Sequence, residues 1–159
     1  MTEAESNIAT LRRFDQVLAD VGVGLANEVL SAPDPLRTGA DLVGADLIES
    51  IDPEVEVDLE QLGPTWPGSP RYHGVGGFID FWREWLEAWD EFEFTRPRIE
   101  ADGDWVVTEV LLDTRGRGSG APVHWGFFQL WRFQEGRLVH FAMFSSWDEA
   151  IAAAREERS

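Results

Sequence analysis

The fold of this chain is decided by residues 78–89, which read FIDFWREWLEAW. Large apolar side chains recur there every three or four positions. They are Phe78, Phe81, Trp82, Trp85, Leu86 and Trp89. This spacing lines up one face of an α-helix, so it predicts a long amphipathic helix that extends through Trp89. An apolar helix face of this kind has to be covered by another part of the chain.

Three later segments predict that cover. Residues 105–113, 123–133 and 137–145 alternate, or nearly alternate, between apolar and polar side chains. They are also rich in β-branched and aromatic residues, as β-strands are. Turn residues lie at 102–104, 115–120 and 134–136. We therefore expect hairpins that build a curved sheet over the helix, and such a sheet can enclose a pocket.

The N-terminal part of the chain predicts two helices. Apolar residues at helical spacing predict the first over about 6–30, with Gly22 and Gly24 as points where it could break. The prolines of SAPDP at 31–35 end that helix. A short second helix is expected over about 40–51, before the Asp-Pro that follows.

The sequence EVEVDL at 54–59 alternates strictly and predicts a half-buried strand. Its inner face would carry Val55, Val57 and Leu59. Residues 61–77 are rich in proline and glycine, so they predict a loop that could form a rim. A closing helix is predicted over 148–158, with Ser146 as its cap.

Composition limits the kind of protein. The chain has 159 residues, 43% of them hydrophobic, so we expect a single domain over 1–159. No apolar run approaches the roughly 20 residues of a membrane helix, so we expect no membrane association. The N-terminus lacks the basic and then apolar segments of a secretory signal, so we expect a cytoplasmic location by default. The net charge of −17 disfavours binding to nucleic acid, because the phosphate backbone would be repelled. Cysteine is absent, and His73, His124 and His140 lack metal-ligand spacing, so neither metal nor cofactor is expected.

The order of elements resembles the nuclear-transport-factor-2-like superfamily, and within it the SnoaL-like and ketosteroid-isomerase-like proteins. The resemblance covers Ile51 to Ala154 and rests on the spacing of short motifs. These are IDPEVE at 51–56, YHG at 72–74, FW at 81–82, SG at 119–120, FQLW at 128–131 and EGRLV at 135–139. It implies an α+β cone, in which a curved antiparallel sheet wraps around the long helix and two N-terminal helices. It also implies a mostly apolar pocket at the open end and a homodimer.

The resemblance implies positions for chemistry as well. Ketosteroid isomerases use an aspartate base and an oxyanion hole of tyrosine and aspartic acid. Those three positions fall on Asp58, Phe14 and Gln129. Two of the three are changed, so steroid-isomerase chemistry is not expected. Strand alternation turns Asp58 away from the face of Val57 unless a bulge intervenes, and a shifted register would put Glu56 or Leu59 in its place. The alternative for these carboxylates is a solvated face.

Two further residues are candidates for acid or base chemistry. Glu109 shares a strand face with apolar neighbours, and comparison with the isomerases would turn that face inward, with Arg132 or Arg98 as its partner. The opposite face, which begins at Val106, is equally suited to burial. His73 lies at the end of the predicted loop, where it could reach the pocket mouth. The alternative is a surface histidine in a turn.

A ligand would contact an aromatic wall in which Gln129 is the one polar side chain. The predicted binding residues are Tyr72, Trp82, Trp85, Trp125, Phe127, Gln129 and Trp131. We therefore expect a protein that binds a small apolar molecule. It could be a cofactor-independent isomerase, cyclase, dehydratase or hydrolase that uses a pocket carboxylate. The alternative is a non-catalytic ligand-binding or dimeric partner-binding module. Complete filling of the cone by these aromatic residues is a third possibility.

Overall fold

The computed structural model of the chain describes residues 2–65, 68–116 and 118–156. The helices are α1 Glu3–Leu30, α2 Pro35–Val43, α3 Ala45–Glu49, α4 Gly74–Glu87 and α5 Trp147–Arg155. The strands are β1 Ile51–Asp58, β2 Arg71–His73, β3 Trp89–Asp102, β4 Trp105–Gly116, β5 Pro122–Gln134 and β6 Arg137–Phe144. A short 3₁₀ helix, Glu60–Thr65, follows β1.

All six strands belong to one curved, open sheet in the order β2-β1-β6-β5-β4-β3. Strands β3 to β6 form an antiparallel meander, as the hairpin signals predict. Strand β1 pairs with β6 in parallel, which differs from the purely antiparallel sheet expected from the sequence. Parallel neighbours require a long crossover, and here the chain passes through α4 and four strands, β2 to β5, before it returns. The predicted α+β cone is confirmed.

Helices pack on both faces of the sheet. One face packs on α1 and α4, where Val110, Phe127 and Phe141 are buried. The other face packs on α5, where Leu130 and Ile151 are buried in one apolar cluster. Helix α5 begins as predicted, because the hydroxyl of its cap accepts a 3.1 Å hydrogen bond from an amide of the first turn. Residues 157 and 158 of the predicted helix lie outside the described residues.

The hairpin turns follow the sequence signals closely. Glu135 and Gly136, between β5 and β6, both have positive φ, at 52° and 79°. Positive φ at both central positions gives the turn that matches the right-handed twist of the flanking strands. Gly103, between β3 and β4, also has positive φ. The glycine-rich turn predicted at 115–120 includes Arg117, which lies outside the described residues.

The central helix begins and ends earlier in the sequence than predicted. Helix α4 ends at Glu87, so the predicted extension through Trp89 is wrong. Trp89 is the first residue of β3, where it pairs with Gly116 of β4. The spacing of Trp89 in the sequence fits both a helix and a strand, but backbone pairing with β4 places it in the sheet. Tertiary pairing has overridden the local pattern here.

The N-terminal helices also differ from prediction. Helix α1 continues past both Gly22 and Gly24. The predicted second helix over about 40–51 is two helices, since α2 begins earlier, at Pro35, and a residue with φ of 101°, Gly44, separates it from α3. Proline is well tolerated at the first position of a helix because its missing amide has no intrahelical partner there. Ile51 belongs to β1.

The segment predicted as a loop over 61–77 contains regular structure. The 3₁₀ helix occupies its start, β2 lies at 71–73, and α4 begins at Gly74. Residues 66 and 67 lie outside the described residues. Strand β2 forms because it pairs with the edge of β1, with Val57 opposite Tyr72. A three-residue strand gives too short a pattern for prediction from sequence alone.

Candidate functional site

A cavity lies between α1, α4 and the inner face of the sheet. Its volume is about 60 Å³, and it is partly open to solvent. The lining comes from five elements besides α1. The lining residues are Phe14, Asp15, Leu18, Phe81, Trp82, Trp85, Phe94, Arg96, Val110, Leu112, Phe127, Gln129, Trp131 and Met143. The cone is therefore neither filled completely nor widely open.

The walls are aromatic. The ring of Trp85 meets the ring of Phe127 edge to face at 5.5 Å between centroids, and Phe14 lies 5.9 Å from Trp131. Helix α4 supplies its tryptophans because its apolar positions recur at three and four residues, which turns them to one side. Edge-to-face packing of this kind fixes ring orientation as well as burying area. The result is a rigid apolar enclosure.

A polar corner interrupts this enclosure, and three elements build it. The guanidinium of Arg96, on β3, donates from Nε to Oδ2 of Asp15, on α1, at 2.7 Å and from Nη2 to Oδ1 at 2.8 Å. Its Nη1 donates to Oε1 of Gln129, on β5, at 2.8 Å. The side chain of Arg96 is 9% exposed and that of Asp15 is 25% exposed. A bidentate pair this well buried holds the guanidinium in a fixed plane.

Gln129 is itself held from two sides. The indole Nε1 of Trp131 donates to the same Oε1 at 3.1 Å. Gln129 is 4% exposed, and among the described residues its amide nitrogen has no hydrogen-bond partner. The carbonyl of this amide is thus fully used by the protein, and its N–H groups are not.

Arg96 reaches the cavity because of the local form of β3. Phe94 and Arg96 share one face of the strand by the alternation of side chains. Pro97 follows on this edge strand, and the register with β4 shifts between Thr95 and Arg98. Proline has no amide for a ladder, so it is confined to edges and bulges. The guanidinium also lies over the rings of Phe94 and Trp131, at 5.4 and 5.8 Å from their centroids.

The predicted binding wall is largely assembled by the fold. Five predicted residues line the cavity, namely Trp82, Trp85, Phe127, Gln129 and Trp131. Trp125 packs against Trp85 and Phe127 at 5.7 and 4.7 Å, beside the cavity and outside its lining. Tyr72 also lies outside the lining, where it is buried against Phe81. Its hydroxyl donates to a carboxylate oxygen of Glu84.

The three predicted acid-base residues lie elsewhere. Asp58 stays on the face opposite Val57, because the register of β1 with β6 runs without a bulge from Glu56 to Asp58. Its Oδ1 accepts a 3.0 Å hydrogen bond from the amide of Glu60. Leu59, the alternative position, is buried in the core. The strand geometry thus keeps the carboxylates of β1 away from the cavity.

Glu109 and His73 are also outside the cavity. The sequence left both faces of β4 open, and the structure turns inward the face of Val110, so Glu109 points outward. The expected partner Arg98 lies opposite Glu109 in the ladder and stacks on Trp147 at 3.8 Å. Nε2 of the exposed His73 lies 3.0 Å from Oε2 of a surface glutamate, Glu54.

The resemblance to isomerases did place two residues on the cavity wall, Phe14 and Gln129. Sequence reasoning missed the charged pair, Asp15 and Arg96. A signal for Asp15 was available, since it lies four residues after Leu11 and three before Leu18, on the apolar face of α1. No comparable signal pointed to Arg96.

Two further findings bear on the possible chemistry. Within residues 2–65, 68–116 and 118–156, no group of three or more histidine, aspartate or glutamate residues is arranged to hold a metal ion. In the same part of the chain, no helix is both long enough and apolar enough to cross a membrane.

Comparison with solved structures finds the same fold in other chains. An NTF2-like protein of unknown function from Burkholderia pseudomallei K96243 is 17% identical, with a TM-score of 0.64 over 98% of this chain and 100% of that one. A protein named as a SnoaL-like polyketide cyclase, from Jannaschia sp. CCS1, is 15% identical, with a TM-score of 0.62 over 99% and 97%. TerC, crystallised together with polyporic acid, is 12% identical, with a TM-score of 0.62 over 93% and 96%.

Comparison of the sequence with curated proteins finds no match. The profile of the SnoaL-like domain matches residues 39–141, which begin within α2, end within β6 and include most of the cavity wall. The order of elements, the curved sheet and this match agree. The chain has the fold of an NTF2-like protein and belongs to the SnoaL-like domain family.

Proposed function

We propose that this protein binds a small, mostly apolar molecule in the cavity, with the polar corner at Gln129 and Arg96 orienting it. The observation that carries this proposal is the combination of a partly open aromatic enclosure with a single ordered polar corner. Ligand sites in proteins share this composition, because apolar walls supply affinity and a few fixed polar groups supply orientation.

The size of the cavity limits the ligand. Typical ligand sites measure roughly 300–1,000 Å³, whereas the volume of this cavity is about 60 Å³. A ligand of one ring is therefore favoured, with part of the molecule at the open side. TerC, a structure of the same fold, was crystallised with polyporic acid, which supports binding of a small molecule in general but not the one-ring size.

The test blocks the cavity and compares two neighbouring leucines. Leu112 lines the cavity, whereas Leu111, on the opposite face of the same strand, is 45% exposed. Leu112→Phe should weaken binding of acetophenone, measured by ligand-observed NMR, at least about tenfold, because the larger ring fills the space. Leu111→Phe should bind as the wild type does. Equal binding by Leu112→Phe and the wild type would contradict the proposal, provided that thermal unfolding shows both variants folded.

A second candidate is a cofactor-independent enzyme. Among the described residues, Asp15 is the one carboxylate on the cavity wall, and a pocket carboxylate is what acid or base catalysis needs. A similar structure carries the name of a polyketide cyclase. Both oxygens of Asp15 already accept hydrogen bonds from Arg96, so proton transfer would require one of these bonds to break. Binding without chemistry is therefore the first proposal.

The homodimer implied by the resemblance stays a prediction. Sedimentation equilibrium tests it, with twice the 17.9 kDa mass of the chain as the expected result. A mass of one chain across the micromolar range would contradict it.

A further inference from the structure

We infer that the cavity selects neutral molecules that present an oxygen acceptor, such as a carbonyl, to the amide N–H of Gln129. This inference rests on the proposed function and narrows it to a class of ligand. It follows from the direction of one amide group and from the charge balance around it.

The direction of the Gln129 amide is fixed by its partners. A guanidinium and an indole N–H can only donate hydrogen bonds. Arg96 and Trp131 both point such donors at Oε1, at 2.8 and 3.1 Å. Rotation of the amide by half a turn would place its own N–H groups against these two donors. The carbonyl therefore faces the protein, and its two lone pairs are both used.

The amide nitrogen is left for a ligand. Gln129 lies on the cavity wall and is 4% exposed, and its nitrogen has no acceptor within the described part of the chain. The nitrogen is not among the fully buried polar atoms without a partner in the described residues, so it can be reached from the cavity by water or by a ligand. Buried polar groups are almost always paired, with protein, water or ligand. An acceptor oxygen in the cavity would supply the missing partner.

The charges of the corner exclude an anion as the preferred ligand. Arg96 and Asp15 are the two charged side chains among the described residues of the wall, and their charges cancel. The two-pronged edge of the guanidinium, which would bind a ligand carboxylate, is occupied by Asp15. Its Nη1 faces Gln129, with Oγ1 of Thr108 at 3.5 Å. The chain as a whole carries a net charge of −17, which repels anions further.

The first experiment compares three one-ring probes on the wild-type protein. Acetophenone has a carbonyl, α-methylstyrene has the same shape with a methylene in place of the oxygen, and benzoate has a carboxylate. A purely apolar cavity would prefer α-methylstyrene, which is the more apolar molecule. We expect acetophenone to bind at least about fivefold more tightly than α-methylstyrene, because of the hydrogen bond, and benzoate to bind most weakly. In ¹H–¹⁵N spectra, acetophenone should shift the side-chain amide of Gln129.

The second experiment removes the donor and keeps the acceptor. In Gln129→Glu, one carboxylate oxygen can still accept from Arg96 and Trp131, while the other replaces the amide nitrogen. Preference for acetophenone over α-methylstyrene should then be lost. Gln134→Glu is the matched control, since Gln134 is exposed at the end of the same strand, and its preference should equal that of the wild type.

The outcomes separate the two proposals. Equal affinity of wild-type protein for acetophenone and α-methylstyrene, or tighter binding of benzoate, would overturn the inference and leave the proposed binding function standing. Binding of none of the probes at millimolar concentration would overturn both. The comparison of probes on the wild type needs no variant, so it decides the matter even where Gln129→Glu does not fold.

Discussion

Asp15 and Arg96, 81 positions apart in the sequence, form a bidentate ion pair that joins α1 to the edge strand β3. The pair lies at the cavity, and Nη1 of the same guanidinium donates a hydrogen bond to Oε1 of Gln129. One arginine thus fixes the position of a helix relative to the sheet and the direction of a buried amide. Stability and ligand selection are expected to depend on the same contact.

Asp15→Asn should destabilise the protein by about 2 kcal/mol, because it leaves a buried guanidinium without its counter-charge. Urea unfolding measures this loss. Asp113→Asn is the control, since Asp113 pairs with His124 in an exposed position. Exposed pairs contribute little to stability, so the control should unfold as the wild type does. Equal midpoints for both variants and the wild type would show that the Asp15 pair does not stabilise α1.

Arg132 holds the end of α5 to the sheet from a buried position. Its Nη2 donates to the carbonyl oxygens of Ala153 and Ala154 at 3.1 and 3.2 Å, and its Nη1 donates to Asp104. Cations at a helix C-terminus also meet the negative end of its dipole. Arg132→Met should reduce the free energy of unfolding by about 3 kcal/mol and speed hydrogen exchange in α5 selectively.

The control for Arg132 is Arg155→Met, on α5 itself, where an exposed guanidinium lies 3.9 Å from Glu100. That substitution also removes one positive charge near the end of α5, but no buried contact. Exchange rates in α5 that rise equally in both variants would contradict the specific role of Arg132.

The fold was predictable where the hydrophobic period and the packing agree. The apolar face of α4 and the alternation of β5 gave five of the cavity-lining residues. Strand β4 was ambiguous, because both Val106 and Val107 are buried, one beneath α1 and α4 and the other beneath α5. A strand covered on both sides does not show by alternation which side holds the cavity. The outward direction of Glu109 could not be read from its neighbours.

The polar corner was harder to predict, for a physical reason. Charged residues are exposed by default unless a partner allows burial, and here the partner is 81 positions away. No local pattern contains such a contact. The helical spacing around Asp15 does place a carboxylate on an apolar face, and that mismatch is the type of signal that marks a buried pair or a site.

Ser146→Ala should cost about 1 kcal/mol, because the hydroxyl of Ser146 caps the amide of Glu149 at the start of α5. Ser145→Ala, one residue earlier and exposed, is the control and should be neutral. Thermal unfolding monitored by circular dichroism compares them. A loss of similar size in both variants would point to serine content in general, not to the cap.

Glu135→Asn should stabilise the protein by about 0.5–1 kcal/mol, because Glu135 has φ of 52° and asparagine adopts that conformation at lower cost. The flanking Gln134→Asn, in the strand, should give no gain. Urea midpoints decide between them. A destabilised Glu135→Asn would mean that the glutamate side chain contributes more than the turn conformation costs.

Exchange of the methyl protons of acetophenone with deuterium from the solvent separates a binding module from an enzyme. Abstraction of a proton next to a carbonyl is the step that isomerases and cyclases of carbonyl compounds share. We expect exchange no faster than in buffer, because both oxygens of Asp15 are held by Arg96. Faster exchange with the wild type, lost in both Asp15→Asn and the blocked Leu112→Phe, would instead identify Asp15 as a base. Exchange that persists in Leu112→Phe would come from outside the cavity and leave the binding proposal unchanged.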